Sequence, residues 1–216
     1  MIGEFTLSHV AHNYGGTIVH PDCSFSSVST DSRVLENGQI FVALKGKKFD
    51  GHEFISSVSK KVCGLVVEKP LLDLEISQWV VPNTTRALGQ IAKANRDKFN
   101  GYLIAVTGSC GKTSVKEMIA SILKKTGSVL VTKDNSNNEI GVPTTLINIS
   151  AAHNYAVVEM GARNAGDINY LCEIAKPDIA LINNILPAHL EGFGDIQNIA
   201  KAKGEIYKDL RNNGTA

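Results

Sequence analysis

From Tyr102 onward the chain alternates short apolar runs with amphipathic helical stretches, and no other feature restricts the possible folds as strongly. "YLIAVTG" (102–108), "SVLVT" (128–132), "YAVVEMG" (155–161) and "DIALINNI" (178–185) read as strands. Apolar runs of this kind suit strands covered on both faces. Between the first two, Lys112 to Lys125 carries Val115, Met118, Ile119, Ile122 and Leu123 at helical spacing, which predicts a helix with one apolar face. Further helices are expected after Pro143, from about Ala165, and from about Ile196 to Leu210. The alternation predicts an α/β fold with a mainly parallel sheet flanked by helices.

The first eighty residues have a different texture. "SHVAHNYGG" reads as a short helix stopped by glycines, "GQIFVALKG" as a buried strand, "HEFISSVSKK" as a helix and "GLVVE" as a second strand. Together they predict a small mixed α/β amino-terminal domain over 1–83. Pro82 then breaks a strand, and Asn83 or Thr84 can cap a helix with Leu88, Ile91 and Ala92 on its apolar side. That helix reads as a connector opening a second domain, 84–216, and a length of 216 residues suits one large or two small domains.

Charge and composition narrow the function classes. With 22 Lys+Arg against 21 Asp+Glu there is no electrostatic case for nucleic acid, which needs a concentrated basic face. No apolar run approaches the roughly 20 residues that span a bilayer. The start, "MIGEFTLSHVAHNYGG", is polar and acidic where a signal peptide needs a basic start and an apolar block. A soluble, cytoplasmic protein is expected. Cys23, Cys63, Cys110 and Cys172 are far apart and form no C-x-x-C pair, so free thiols in a reducing compartment are expected rather than a metal or redox centre.

The chemistry concentrates in "VTGSCGKTS", Val106 to Ser114. The common phosphate-loop pattern is G-x-x-x-x-G-K-[ST], and here its first glycine is replaced by Val106. The working parts are nonetheless present: a strand ending at Thr107, glycines at 108 and 111 for a tight turn, and Lys112 and Thr113 opening a helix. A helix N-terminus attracts an anion, the lysine neutralises it, and the threonine hydroxyl can face Mg²⁺. Gly108, Ser109, Cys110, Gly111, Lys112, Thr113 and Ser114 are therefore the expected nucleotide-binding residues. Such a loop also needs an acid at the end of a neighbouring strand to hold the metal, and "YAVVEMGA" supplies Glu159. No N-K-x-D base-recognition motif follows, which argues against a GTPase.

Four segments in register, "TGSCGKTSVKEM", "NSNNEIGVP", "VVEMGA" and "AHLEGFG…AKAKGEIY", resemble the Mur ligases, and "STDSRVLENGQIFVALKGKKFDGHEF" resembles the family's uridine-nucleotide domain. The family's phosphate loop is the shorter T-G-x-x-G-K-[ST] form, which accounts for Val106. The resemblance implies an ATP-dependent amide ligase of peptidoglycan precursor synthesis, working through an acyl phosphate. In the branch it matches best, UDP-N-acetylmuramoyl-tripeptide supplies the carboxylate and D-alanyl-D-alanine the amine. It also implies site roles. Lys112 would neutralise the β- and γ-phosphates, Thr113 and Glu159 would hold Mg²⁺, and His189 would serve a second Mg²⁺. Lys203 matches a lysine that Mur ligases carbamylate. Asn137 and Asn138 match a stretch near the acceptor nucleotide. Asp31, Ser32 and Arg33, with Lys45 and Gly46, match the uridine pocket, although D-S-R also reads as a capped turn. Pro187 stands before "AHLE" where the family often has a small residue. A complete family member has a third domain, so a chain ending at "NNGTA" is expected to be a ligase-inactive fragment. Two alternatives stay open: another Mur-fold ligase such as a folylpolyglutamate synthase, and a binding-only UDP-sugar module.

Overall fold

The computed structural model describes residues 1–46, 49–188, 190–211 and 214–216. The chain divides into two compact units, Met1–Ala94 and Asn95–Ala216.

In the first unit, β1 (Phe5–Thr6) pairs antiparallel with β3 (Ser24–Phe25), and α1 (Leu7–Tyr14) lies between them in sequence. Thr6 caps α1 by accepting from the His9 N–H. The main sheet is built from β2 (Thr17–Val19), β4 (Ser27–Ser29), β5 (Gln39–Val42), β6 (Gly64–Val67) and β7 (Ser77–Val80). Its order is β2-β7-β6-β5-β4, parallel except for β2 at one edge. A 3-10 turn (Gly51–Phe54) runs into the short α2 (Ile55–Val58), which packs Ile55 and Val58 against Phe41, Leu65 and Val67. Because β4, β5, β6 and β7 run in parallel, the segments after each of them emerge at one carboxyl edge.

α3 (Thr84–Asp97) is shared between the units. Asn83 caps it, its side-chain oxygen accepting from the Arg86 N–H at 2.9 Å. Thr84 Oγ1 donates to the Ala43 carbonyl within the first unit. Asn95 and Arg96 belong with the second unit, where Arg96 is fully buried and donates to the Ala175 and Lys176 carbonyls and to Asp178 at 2.8 Å. A buried guanidinium is tolerable only when such partners use its donors.

The second unit holds β8 (Tyr102–Thr107), β9 (Val129–Val131), β10 (Tyr155–Glu159) and β11 (Ile179–Ile182), all parallel, in the order β11-β8-β10-β9. The helices α4 (Lys112–Leu123), α5 (Gly141–Ile147), α6 (Asp167–Ala175), α7 (Leu190–Phe193) and α8 (Ile196–Gly204) complete it, α8 running into a 3-10 turn over Glu205–Tyr207. The expected α/β class with a parallel, helix-flanked sheet is what forms. α5 begins at Gly141, ahead of Pro143, so the proline sits in the first turn, where its missing N–H costs nothing.

One expected packing face is wrong. Val115, Ile119 and Leu123 of α4 do pack with Ile104, Val106 and Val157 of the sheet. Met118 and Ile122 are instead 64% and 65% exposed, while Lys116 and Ala120 are buried. The helix is rotated because Ala120 allows close approach to the sheet and the Lys116 ammonium reaches the Thr132 carbonyl at 2.7 Å. One satisfied buried lysine thus displaces two apolar residues from the interface. Among the described residues all four cysteines are free, and no helix is long and apolar enough to cross a membrane.

α8 is anchored from a distance. Glu205, just past its end, accepts from the Gly166 N–H with both oxygens and from the Asn169 N–H at 3.0 Å, which caps α6. A carboxylate at a helix N-terminus gains from hydrogen bonds and from the helix dipole together. Glu205→Ala is expected to lower unfolding free energy by about 1–3 kcal/mol, and Glu205→Gln by less, as read from urea denaturation. A change below about 0.5 kcal/mol for the alanine variant would show that the cap does not hold α8.

Candidate functional site: a phosphate loop and its lysines

The parallel register decides what meets at the carboxyl edge of the second sheet. β8 delivers Gly108–Thr113, β9 the segment beginning at Thr132, β10 Glu159, and β11 Asn183–Leu186. In open α/β sheets ligands bind at this edge, near the strand where chain direction across the sheet reverses. β8 is that strand here, with β9 and β10 reached on one side and β11 on the other.

Gly111 adopts a left-handed conformation (φ 71°) as the N-cap of α4, and no side chain caps the helix. An L-residue there would be strained, and the uncapped first turn leaves its N–H groups aimed outward, the arrangement that receives phosphate oxygens. Lys112 Nζ donates to the Gly108 carbonyl at 3.1 Å. Lys203 Nζ, from α8, donates to the same carbonyl at 3.1 Å although its side chain is almost wholly buried. Two lysines far apart in sequence therefore share one oxygen at the floor of the loop. Burial, and then the Lys112 charge, push the Lys203 ammonium below the ordinary lysine range.

At the far end of the loop, Thr113 Oγ1 donates to Glu159 Oε2 at 2.8 Å. Glu159 is 1% exposed, and its other oxygen accepts from Asn137 Nδ2 at 2.8 Å. Its N–H donates to Thr132 Oγ1 at 3.0 Å. Asn137 in turn needs Gly161, where a Cβ would lie 2.6 Å from Asn137 Oδ1. A hydroxyl and a carboxylate in contact are hard oxygen donors suited to Mg²⁺, which binds through one or two protein ligands and keeps waters and phosphate oxygens for the rest. No group of three or more His, Cys, Asp or Glu side chains converges among the described residues.

The remaining expected site residues are distributed as follows. Ser109 and Cys110 lie in the loop and bond to the segment after β11, and Ser114 opens α4 with Lys112 and Thr113. Asn137 holds Glu159, and Asn138 Oδ1 accepts from the Ile140 and Gly141 N–H groups at the start of α5. His189 lies outside the described residues. In the first unit, Arg33 forms a two-pronged pair with Asp31 at 2.9 and 2.7 Å, with Ser32 between them. This pairing drives the Asp31 carboxyl down to about 2. Lys45 is bridged to Asp50 across a turn in which the Gly46 N–H donates to the Phe49 carbonyl. Asp31–Arg33 follow β4 and Lys45–Gly46 follow β5, so the register of these neighbouring parallel strands brings both groups to the same sheet edge. Four residues escaped sequence reasoning: Lys116, Thr132, Asn183 and Asn184. The paired asparagines directly after the apolar β11 were the one usable signal.

This geometry is a strand–glycine turn–helix loop at the carboxyl edge of a parallel sheet, with a buried acid at the end of the neighbouring strand. Residues 106–216 match the Mur ligase middle domain, and residues 24–96 match the Mur ligase family catalytic domain. The chain belongs to the Mur ligase family.

Two relatives carry the same activity name. The UDP-N-acetylmuramoyl-tripeptide–D-alanyl-D-alanine ligase of Escherichia coli (strain K12) is 43% identical over 212 residues, covering 98% of this chain and 47% of the relative. The enzyme of the same name from Bacillus subtilis (strain 168) is 36% identical over 215 residues, covering 97% of this chain and 47% of the relative. A crystal structure of MurF from Acinetobacter baumannii superposes with a TM-score of 0.91 at 39% identity, covering 99% of this chain and 48% of that one. MurF from Thermotoga maritima in complex with ADP gives 0.81 at 35% identity, over 88% of this chain and 45% of that one. The chain spans about half the length of the curated relatives it matches.

The lowered Lys203 value has a measurable consequence. Between that value and the ordinary one the unfolded chain binds more protons than the folded chain, so stability rises with pH across this window. Urea denaturation from neutral to about pH 10 is expected to show this rise, and Lys203→Met to flatten it. An unchanged slope in the variant would assign the rise to another group.

Proposed function

We propose that this chain supplies the UDP-substrate and nucleotide-binding units of an ATP-dependent ligase. The ligase joins D-alanyl-D-alanine to UDP-N-acetylmuramoyl-tripeptide in cytoplasmic peptidoglycan precursor synthesis. The observation that carries the reading is the convergence of Lys112 and Lys203 on Gly108 at one end of the phosphate loop, with the Thr113–Glu159 pair at its other end. The names of the relatives support the substrates, and the ADP complex of the Thermotoga maritima neighbour supports the nucleotide.

Joining a carboxylate to a triphosphate brings two anions together, so cations must collect where the phosphoryl group transfers. In this reading Lys112 leaves the Gly108 carbonyl for the β- and γ-phosphates, exchanging a neutral acceptor for a charged one. The uncapped start of α4 receives further phosphate oxygens. Thr113 and Glu159 hold Mg²⁺, which when bound supplies charge neutralisation at the phosphates, while Asn137 and Thr132 keep Glu159 from swinging away. His189 is assigned to a second Mg²⁺. The reaction passes through an acyl phosphate on the tripeptide carboxylate, which the D-alanyl-D-alanine amine attacks with release of phosphate.

Lys203 is assigned as the carbamylated lysine. Its lowered proton affinity enlarges the neutral fraction, and only a neutral amine can add CO₂, giving a carbamate and one proton. The product replaces a cation facing Lys112 by an anion, which turns repulsion into attraction. A mass gain of one CO₂, lost on acid treatment and absent from Lys203→Met, is the corresponding readout. In the first unit, Asp31, Ser32, Arg33, Lys45 and Gly46 are assigned to the uridine diphosphate, with Asn138 near the acceptor nucleotide.

Calorimetric titration of the chain with MgATP and, separately, with UDP-N-acetylmuramoyl-tripeptide tests the reading. Both are expected to bind, and Lys112→Ala is expected to weaken MgATP by about 100-fold while leaving the UDP substrate unaffected. Nucleotide binding without uptake of the UDP substrate would point to another Mur-fold ligase, and the reverse to a binding-only UDP-sugar module.

A further inference from the structure

The segment that follows β11 is bonded to the phosphate loop through the side chains of Asn183 and Asn184 and the backbone of Asn184 and Leu186. The Asn184 side-chain oxygen accepts from the Ser109 and Cys110 N–H groups, both at 3.1 Å. Its Nδ2 donates to the Cys110 carbonyl at 3.1 Å, and Asn183 Nδ2 donates to that carbonyl at 2.8 Å. The Asn184 backbone carbonyl also accepts from the Ser109 N–H, and the Ser109 hydroxyl bonds with the Leu186 carbonyl and N–H, each at 2.9 Å. Asn183 lies so near the turn that a Cβ on Gly111 would meet its Nδ2 at 2.9 Å.

This pattern explains how the shortened loop keeps its shape. Val106 lies in β8, where its carbonyl accepts from the Met160 N–H, so the turn must be shaped within Gly108–Gly111 alone. Two non-glycine residues, the half-buried Ser109 and the exposed Cys110, occupy half of it. Successive N–H groups tend to curl around an anion, and here the Ser109 and Cys110 pair is already occupied by a neutral amide oxygen. That leaves the following N–H groups, at the start of α4, directed at the phosphate position. We propose that Asn184, supported by Asn183, is a positioning residue for the nucleotide: it templates the Ser109–Cys110 half of the loop so that the α4 half is preorganised for phosphate. The proposal rests on the nucleotide reading above.

The side-chain chemistry is specific. Asn184 must accept from two N–H groups and donate to one carbonyl, and a side-chain amide does both without charge, from two separate atoms. Aspartate would keep the two acceptor bonds but lose the donor and set a negative charge beside bound phosphates. Alanine would lose all three contacts. The two substitutions therefore separate shaping of the loop from its electrostatics.

The experiment measures amide hydrogen exchange across residues 109–110 and MgADP affinity for the wild-type chain, Asn184→Ala and Asn184→Asp. Asn184→Ala is expected to speed exchange at these amides about tenfold or more. It should weaken MgADP about tenfold with a thermal midpoint within about 3 °C of wild type. Asn184→Asp is expected to keep the amides protected yet bind MgADP still more weakly, an outcome that a purely structural turn would not produce. Unchanged exchange in Asn184→Ala, or unchanged MgADP affinity in both variants, overturns this proposal alone. Should Asn184→Ala unfold, wild-type affinity in the folded Asn184→Asp chain overturns it instead. A wild-type chain that takes up no MgADP overturns the nucleotide reading, and the proposal with it.

Discussion

Two lysines of the candidate site converge on one carbonyl oxygen. Gly108 ends the strand-to-loop transition, and its oxygen accepts from both Lys112 and Lys203. Lys203 is stripped of water, and the like charge of Lys112 adds repulsion, which is why its proton affinity falls. A neutral carbonyl offsets only part of that cost. The folded chain therefore holds unfavourable electrostatics that an anion would relieve. The rest of the second unit serves the arrangement. β8 and its parallel neighbours bring the loops to one edge, and the Glu205 cap on α6 fixes the segment carrying Lys203.

How far this was legible in the amino-acid sequence depends on the kind of information involved. The parallel α/β class follows from apolar runs alternating with amphipathic stretches, because that periodicity is repeated over many residues. The phosphate loop follows from a short local motif whose parts act within a few positions of each other. Lys116 shows where periodicity fails. In sequence it is a lysine within an amphipathic helix, and lysines usually belong to the wet face. Only the position of the Thr132 carbonyl, supplied by a neighbouring strand, makes its burial favourable, and Met118 and Ile122 are turned outward as a result. Asn137 shows a second limit. Its place in "NSNNEIGVP" says nothing of its partner in the folded chain, Glu159, twenty-two residues away, beside Gly161, where a side chain would crowd the amide.

The first unit shows the opposite case, where a motif is plain and its energetics are weak. Asp31 and Arg33 pair closely, yet both are well exposed, and exposed ion pairs contribute little to stability because water and side-chain entropy offset them. The tight turn is thus better explained by its hydrogen bonds, with the Ser29 hydroxyl donating to the Asp31 carbonyl and the Arg33 N–H donating to the Asp31 carboxylate. Such a pair is cheap to open. A guanidinium held in the right orientation by a neighbouring carboxylate can be handed to a diphosphate at small cost, which makes a capped turn and a ligand contact compatible roles for the same three residues.

The same reasoning separates the two ways in which the phosphate loop is held. Lys112 and Lys203 are bound to Gly108 by contacts that an anion can replace, so they are poised to move or to change charge. The bonds from Asn183, Asn184 and Leu186 to Ser109 and Cys110 engage groups on the other half of the loop, and a phosphate at the start of α4 has no need to break them. One half of the loop is therefore fixed by neutral amides and the other is left electrostatically unsatisfied. A site built this way pays its ordering cost during folding rather than on binding. Replacing the amides by charged or longer side chains would disturb both halves at once.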